Sequence, residues 1–98
     1  MSRLIIDPFI REKLAKRRIS EEDIRECFSD LTTRTLIDDR EEHKTDPPSR
    51  WFIARTDKGR QLKVVFMHFK NNNEIVIKTA FEPTKGQIEL YREKMTLL

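Results

Sequence analysis

The sequence predicts an α+β fold in which helices pack on one face of a single antiparallel sheet. Three observations lead to this prediction. Residues 7–31 hold two helix-start signals followed by apolar residues at helical spacing, residues 33–81 hold four β-compatible segments separated by turn signals, and residues 84–95 return to helical spacing. A length of 98 residues allows one modest hydrophobic core, so we expect a single domain over 1–98 with the order (β)ααββββα.

Each predicted helix starts at a residue that can cap free backbone amides. Asp7 precedes Pro8, and proline at the first helical position has no amide proton to leave unpaired. Two later pairs have the spacing of a capping box, namely Ser20 with Asp23 and Thr84 with Gln87. The first helix should run to about residue 17, with a thin apolar side and a basic remainder. In the second helix Cys27 lies on the buried stripe that begins at Ile24, which favours a core residue over a nucleophile.

Four predicted strands follow the second helix, at 33–38, 51–56, 60–69 and 74–81. A further strand of three residues, at 4–6, precedes the first helix. The turn signals are Asp57-Lys58-Gly59 and Asn71-Asn72-Asn73. Because short turns join antiparallel neighbours, the four strands should form a meander with 60–69 at its centre, where both faces are apolar. If the helices cover one face, the opposite face of the sheet is open for function.

Composition and charge narrow the class of protein. A single cysteine cannot form an intramolecular disulfide. The apolar run at residues 4–6 breaks at Asp7-Pro8 instead of continuing as a signal or transmembrane segment. We therefore expect a cytoplasmic protein. Residues 1–18 carry six cations and two anions, a net charge of +4. Residues 19–49 carry four cations and ten anions, a net charge of −6, and residues 50–98 carry ten cations and five anions, a net charge of +5. This distribution indicates a polyanionic partner such as RNA. The alternative is a set of solvated faces that keep the protein soluble.

No motif for metal or cofactor chemistry is present in the sequence. His43 and His68 are the only histidines, and there is no HExxH motif, no paired cysteine and no aspartate pattern of a divalent-cation site. The two glycines form no phosphate-binding loop. We therefore expect neither a metal nor a cofactor. Cations do interrupt apolar strands at Lys63 and Lys78, which costs free energy unless the sheet face is open or a partner is bound.

Metal-free cleavage of RNA is one chemistry that these residue types support. It needs a group that takes the 2′-hydroxyl proton, a group that protonates the leaving 5′-oxygen, and cations that hold the charge on the phosphate. The predicted strands carry further candidates, namely Arg50, Arg55, Arg60 and His68. A period of two does not say which of them share a face with Lys78. The alternative for each cation is a snorkelling surface residue, and for His68 a satisfied, half-buried imidazole.

The stretch REEHKTDPPSRW at 40–51 fits no regular element. Pro47 and Pro48 favour a stiff, extended approach to the second strand of the meander, since each proline fixes its own φ and restricts the residue before it. That stiffness would hold His43 and Lys44 at a defined distance from the sheet, as a site requires. The alternative is an acidic surface loop that neutralises nearby arginines.

Three segments, KRRISEEDIRECFSD, GRQLKVVF and IVIKTAFEPTKGQIELYRE, resemble small bacterial proteins of the BrnT toxin group and a related uncharacterised domain family. Both groups are similar to the RelE and barnase-like ribonuclease superfamily. The resemblance covers most of residues 7–94 and lies in the order and spacing of the elements. It implies a RelE-like or BrnT-like fold, and a metal-independent endoribonuclease that inhibits translation as the toxin of a type II toxin-antitoxin pair, with a cognate antitoxin protein as partner.

Carried over by position, the resemblance favours Arg50, Arg60, Lys78 and Tyr91 as catalytic residues. His43 and His68 join them as the two imidazoles. The candidate RNA-binding cations are Arg11, Lys13, Lys16, Arg17, Arg18, Lys44, Arg55 and Lys63. Where many BrnT-like chains have Lys-His-Gly before Ile-Ser, this chain has Lys16-Arg17-Arg18, a departure that bears on catalysis.

Two other functions stay open at this point. One is a non-catalytic module on the same fold that binds RNA or protein through the basic first helix. The other follows from short bacterial chains with REEHKTDPP before a Trp-Phe-Ile strand, which are often labelled ADP-ribosyl-dinitrogen-reductase hydrolases. Hydrolases of that name resemble large helical proteins with an aspartate-rich magnesium site, which this short chain lacks, so we expect that the label was transferred in error.

Overall fold

The chain folds into one α+β domain with a five-stranded sheet and three helices. The computed structural model describes residues 2–30, 34–38 and 45–97. The elements are β1 (Arg3–Ile5), α1 (Pro8–Lys16), α2 (Glu21–Phe28), β2 (Leu36–Ile37), β3 (Ser49–Arg55), β4 (Gln61–Phe69), β5 (Glu74–Phe81) and α3 (Lys85–Thr96). This order confirms the predicted one. None of the helices in the described ranges is long and apolar enough to cross a bilayer.

The sheet order is β1-β5-β4-β3-β2, and β2 to β5 form the predicted antiparallel meander with β4 at the centre. β1 differs, because it pairs in parallel with β5, with Leu4 opposite Ile75. The prediction of a wholly antiparallel sheet was therefore wrong. Two helices and the strands β2 to β4 separate β1 from β5 in the sequence, so no short turn dictates the direction in which they pair.

Helices cover both faces of the sheet. On β3, Phe52 and Trp51 are neighbours and so point to opposite faces. Phe28 of α2 packs against Phe52 with ring centroids 4.9 Å apart, whereas Tyr91 of α3 packs against Trp51 at 5.5 Å. We call the side of Phe52 the first face and the side of Trp51 the second face. The prediction that all helices lie on one face was wrong, since helical spacing marks the buried side of a helix and not the sheet face that it meets.

The core lies between the helices and the sheet. Its most completely buried side chains are Phe52, Ile24, Leu62, Ile77, Val64 and Cys27. Burial raises the pKa of the Cys27 thiol to about 12, and the nearby carboxylate of Asp23 adds to the shift. The thiol is thus held neutral inside the core, which confirms the prediction that Cys27 is a structural residue.

The local signals for helix starts are confirmed. The Asp7 side chain accepts a hydrogen bond from the Ile10 amide at 2.9 Å, and both predicted capping boxes are formed. The end of α1 is a Schellman motif with Arg18 at φ +57°, where the Ile19 amide bonds to the Leu14 carbonyl. Gly59 has φ +86° in the β3–β4 turn, as a tight turn of this kind requires. The second predicted strand begins earlier, at Ser49, and the first is shorter, at Leu36–Ile37, with residue 33 outside the described residues.

Candidate functional site

An open groove of about 440 Å³ lies at the end of the sheet where β3 begins and β4 ends. One wall is the segment before β3 and the other is the turn from β4 to β5. Its lining residues are Asp46, Pro47, Pro48, Arg50, His68, Phe69, Lys70, Asn71 and Asn72. The groove therefore combines cations, one imidazole, one carboxylate and side-chain amides over apolar walls.

Arg50 and His68 reach this groove from neighbouring strands. Arg50 lies opposite Phe66, and His68 follows Phe66 by two residues, so all three point to the first face. Phe66 itself packs against Phe28 of α2 at 5.2 Å, which identifies that face independently. Both side chains are partly buried. The strand register thus brings together two residues that the sequence left unassigned to a face.

The segment that leads into β3 is held by its own hydrogen bonds. The Thr45 hydroxyl donates to the Pro47 carbonyl at 2.8 Å and lies 3.2 Å from the Ser49 hydroxyl. The Asp46–Pro47 peptide bond is cis. The two contacts of Thr45 hold together the wall that carries Asp46. The two candidate residues earlier in REEHKTDPPSRW, His43 and Lys44, lie outside the described residues.

Four polar groove residues were not predicted as functional: Asp46, Lys70, Asn71 and Asn72. In the sequence, the asparagine run at 71–73 indicated only a turn. A turn rich in side-chain amides beside a lysine was the available hint, because amides and ammonium groups suit hydrogen bonding to bases and phosphates. Pairing that turn with residues 46–48 needed the fold.

Lys78 lies on the other face of the sheet. A β-bulge in β5 leaves Lys78 without a partner on β4, because Val65 pairs with Thr79 and Phe66 pairs with Ile77. The Lys78 ammonium donates to the buried Ser49 hydroxyl at 3.3 Å on the second face. The sheet thus separates this predicted catalytic residue from Arg50 and His68.

Arg60 stands at the opposite end of β4 from His68 and binds the end of α1. Its guanidinium donates to the Arg18 carbonyl at 2.6 Å, the Arg17 carbonyl at 2.7 Å and the Glu82 carboxylate at 2.7 Å. Through these bonds the Arg60 side chain joins the end of α1 to the sheet. The structure therefore does not bring this predicted catalytic residue into the groove.

Tyr91 is buried under α3 on the second face. Its hydroxyl donates to the Arg34 carbonyl at 2.7 Å and accepts from the Arg34 amide at 3.2 Å. Burial raises the pKa of this phenol, although the hydrogen bonds with the backbone act in the other direction. A neutral phenol bonded to the backbone is a structural element here and not part of the groove.

The predicted RNA-binding cations of α1 are partly engaged within the protein. Arg17 donates to the Thr79 hydroxyl at 3.0 Å and to the Ala80 carbonyl at 2.9 Å. Arg11 pairs with Glu21 at 2.7 Å, and this bond together with that from Arg25 lowers the pKa of Glu21. The Lys13 ammonium lies 4.6 Å from the Phe9 ring centroid. All five cations of this helix and its end are nevertheless exposed, namely Arg11, Lys13, Lys16, Arg17 and Arg18.

The two remaining described cations of that set lie elsewhere. Arg55 donates to the Gly59 carbonyl at 3.0 Å within the β3–β4 hairpin. Lys63 is half-buried on the second face, with its ammonium 4.4 Å from the Trp51 ring centroid and 5.7 Å from that of Phe81. An ammonium over an aromatic face is attracted by the ring quadrupole. Within the described ranges, no group of three or more His, Cys, Asp or Glu side chains is placed to hold a metal ion.

Residues 10–82 match the family described as Domain of unknown function (DUF4258). The chain belongs to this family. The DUF4258 match extends from within α1 to the residue after β5, so it includes the whole groove and leaves α3 outside. No curated protein and no solved structure matches the chain significantly.

Proposed function

We propose that the groove binds RNA and cleaves it without a metal ion, as a toxin-like endoribonuclease. The observation that supports this proposal is the convergence of Arg50 and His68, from two strands of one face, on a groove that also carries Asp46 and Lys70. The resemblance to small bacterial toxins points in the same direction. It would make an antitoxin protein the partner and the bacterial cytoplasm the place of action.

The groove holds each type of group that the reaction needs. The Asp46 carboxylate takes the proton from the 2′-hydroxyl, whose oxygen then bonds to the adjacent phosphorus. His68, as an imidazolium, gives a proton to the 5′-oxygen as the phosphorus–oxygen bond breaks. Arg50 and Lys70 hold the charge that gathers on the phosphate. The products are a 2′,3′-cyclic phosphate and a free 5′-hydroxyl, so atoms and protons balance without a further reactant.

The test is cleavage of a fluorescently labelled single-stranded RNA by the purified protein in excess EDTA. We expect cleavage with 2′,3′-cyclic phosphate ends, and a loss of about 100-fold or more in rate for His68→Gln and for Arg50→Ala. Arg55→Ala is the matched control, because it removes the same charge from the same strand outside the groove. Cleavage that persists in both groove variants would overturn the assignment of this site.

Expression in bacteria gives a second measurement. The wild-type chain should slow growth and translation, while His68→Gln should not. Equal accumulation of the two chains, checked by immunoblot, is the control. Growth that is unaffected by the wild-type chain would speak against a toxin.

A non-catalytic RNA-binding module is the second candidate function. The observation that favours it is the dispersal of the predicted catalytic residues, since Lys78 and Tyr91 lie on the second face and Arg60 caps α1. This function predicts salt-dependent binding of the same RNA without cleavage. Arg50→Ala should weaken that binding. Absence of both binding and cleavage would exclude both functions.

A further inference from the structure

A second groove, of about 490 Å³, lies on the second face between α3 and the sheet. Its floor is formed by Trp51 and Val65, and its helix wall by Leu90 and Lys94. The Lys63 ammonium stands over the Trp51 ring within it. We call this the lysine groove. It lies on the opposite side of the sheet from Arg50 and His68 and does not depend on the function proposed for them.

The lysine groove combines an exposed apolar surface with excess positive charge. Leu90 is 45% exposed, which is high for a leucine on a helix whose other side is in the core. The cations among the lining residues are Lys63 and Lys94, against the single carboxylate of Asp38. Lys78 adds a further ammonium on the same face, one strand away from Val65. A surface of this kind fits a partner that carries both carboxylates and apolar side chains.

The shape of the groove matches a helix. Gln87, Leu90 and Lys94 follow one another at i, i+3 and i+7, so they form a straight wall of about two turns along α3. An amphipathic helix laid beside that wall would pack its apolar side on Val65 and Leu90. Its flanking carboxylates would then face the two lysines. RNA would contact the lysines only, because phosphates gain nothing from an exposed leucine.

We propose that the lysine groove is a docking site for an acidic amphipathic helix of another protein. The probe is a labelled synthetic peptide with leucines at i, i+3 and i+7 and glutamates beside them, measured by fluorescence anisotropy with the full chain. A peptide with lysine in place of every glutamate is the charge control. We expect saturable binding of the acidic peptide and none of the basic one.

Two variants locate the binding. Leu90→Glu and Lys94→Glu should each weaken binding of the acidic peptide by about tenfold or more. Each removes a central contact and adds a negative charge that repels the glutamates of the peptide. Lys85→Glu, at the other end of α3 and outside the groove, is the matched control and should bind within about twofold of wild type after correction for net charge. Circular dichroism of each variant verifies that the domain is folded.

Three results would overturn the proposal. The first is no binding of the acidic peptide at about 100 µM, a concentration at which even a weak docking contact is populated. The second is binding that Leu90→Glu leaves intact. The third is displacement of the peptide by a single-stranded RNA whose own binding is lost in Lys94→Glu, which would assign the groove to RNA. RNA cleavage unchanged in Leu90→Glu is also expected, because the two grooves lie on opposite faces.

Discussion

Replacement of Arg60 by alanine should destabilise the domain without altering the groove. The guanidinium makes two charge-assisted hydrogen bonds to the carbonyls of Arg17 and Arg18, the two residues that follow α1, and an ion pair with Glu82. The Arg60 side chain is 29% exposed, so each carbonyl bond lies near the low end for charged donors, about 1–1.5 kcal/mol. The ion pair with the exposed Glu82 contributes about 0.5 kcal/mol, and the helix dipole a similar amount.

These contributions sum to a loss of about 3–4 kcal/mol in the free energy of unfolding for Arg60→Ala. Arg60→Lys should lose about half as much, because an ammonium keeps the charge but cannot bond both carbonyls in the fork geometry of a guanidinium. Arg55→Ala is the control, since Arg55 makes one exposed bond within its own hairpin and should cost about 0.5 kcal/mol.

Urea unfolding followed by circular dichroism measures all three variants, with the slope of the transition compared to verify that only stability has changed. An Arg60→Ala protein within about 0.5 kcal/mol of wild type would refute the role of this residue as a cap for α1. A protein of normal stability that had lost RNA cleavage would instead place Arg60 in the reaction.

Two further predictions concern buried groups. Tyr91→Phe removes a hydroxyl that bonds both the amide and the carbonyl of Arg34, so it should cost about 1–3 kcal/mol in urea unfolding and leave RNA cleavage unchanged; a large loss of cleavage in the folded variant would contradict this. The pKa of the Cys27 thiol is raised to about 12, so the stability that it contributes is complete below about pH 9 and is lost as the pH rises toward 12. Cys27→Ala should therefore flatten the decline in stability over that range, and reaction of the native thiol with a chromogenic disulfide near pH 8 should be slow until denaturant is added.

The helix starts and the turns could be predicted because they are set by neighbouring residues. Asp7 caps an amide three positions away, and Gly59 adopts a φ that other residues avoid. β5 was predicted with its observed bounds, since a turn signal and a proline enclose it. Predictions of this kind need no knowledge of where other elements lie.

The placement of the candidate residues could not be predicted, because it depends on register and on the sheet faces. In a regular strand, alternation would put Lys78 on the same face as Ala80. The bulge at Lys78 instead turns its side chain to the opposite face. Arg50 and His68 share a groove only because Arg50 pairs with Phe66. The sequence contains no local signal for that register, so the candidate list was a mixture of one site and several structural residues.

The parallel pairing of β1 with β5 also bears on how the chain folds during synthesis. Arg3 lies opposite Glu74, so the first strand has no partner until most of the domain has left the ribosome. The hairpins of β3, β4 and β5 join residues that are close in sequence, and they can form earlier. Addition of β1 to the edge of β5 is then expected as a late step, which joins the first strand of the domain to a nearly finished sheet.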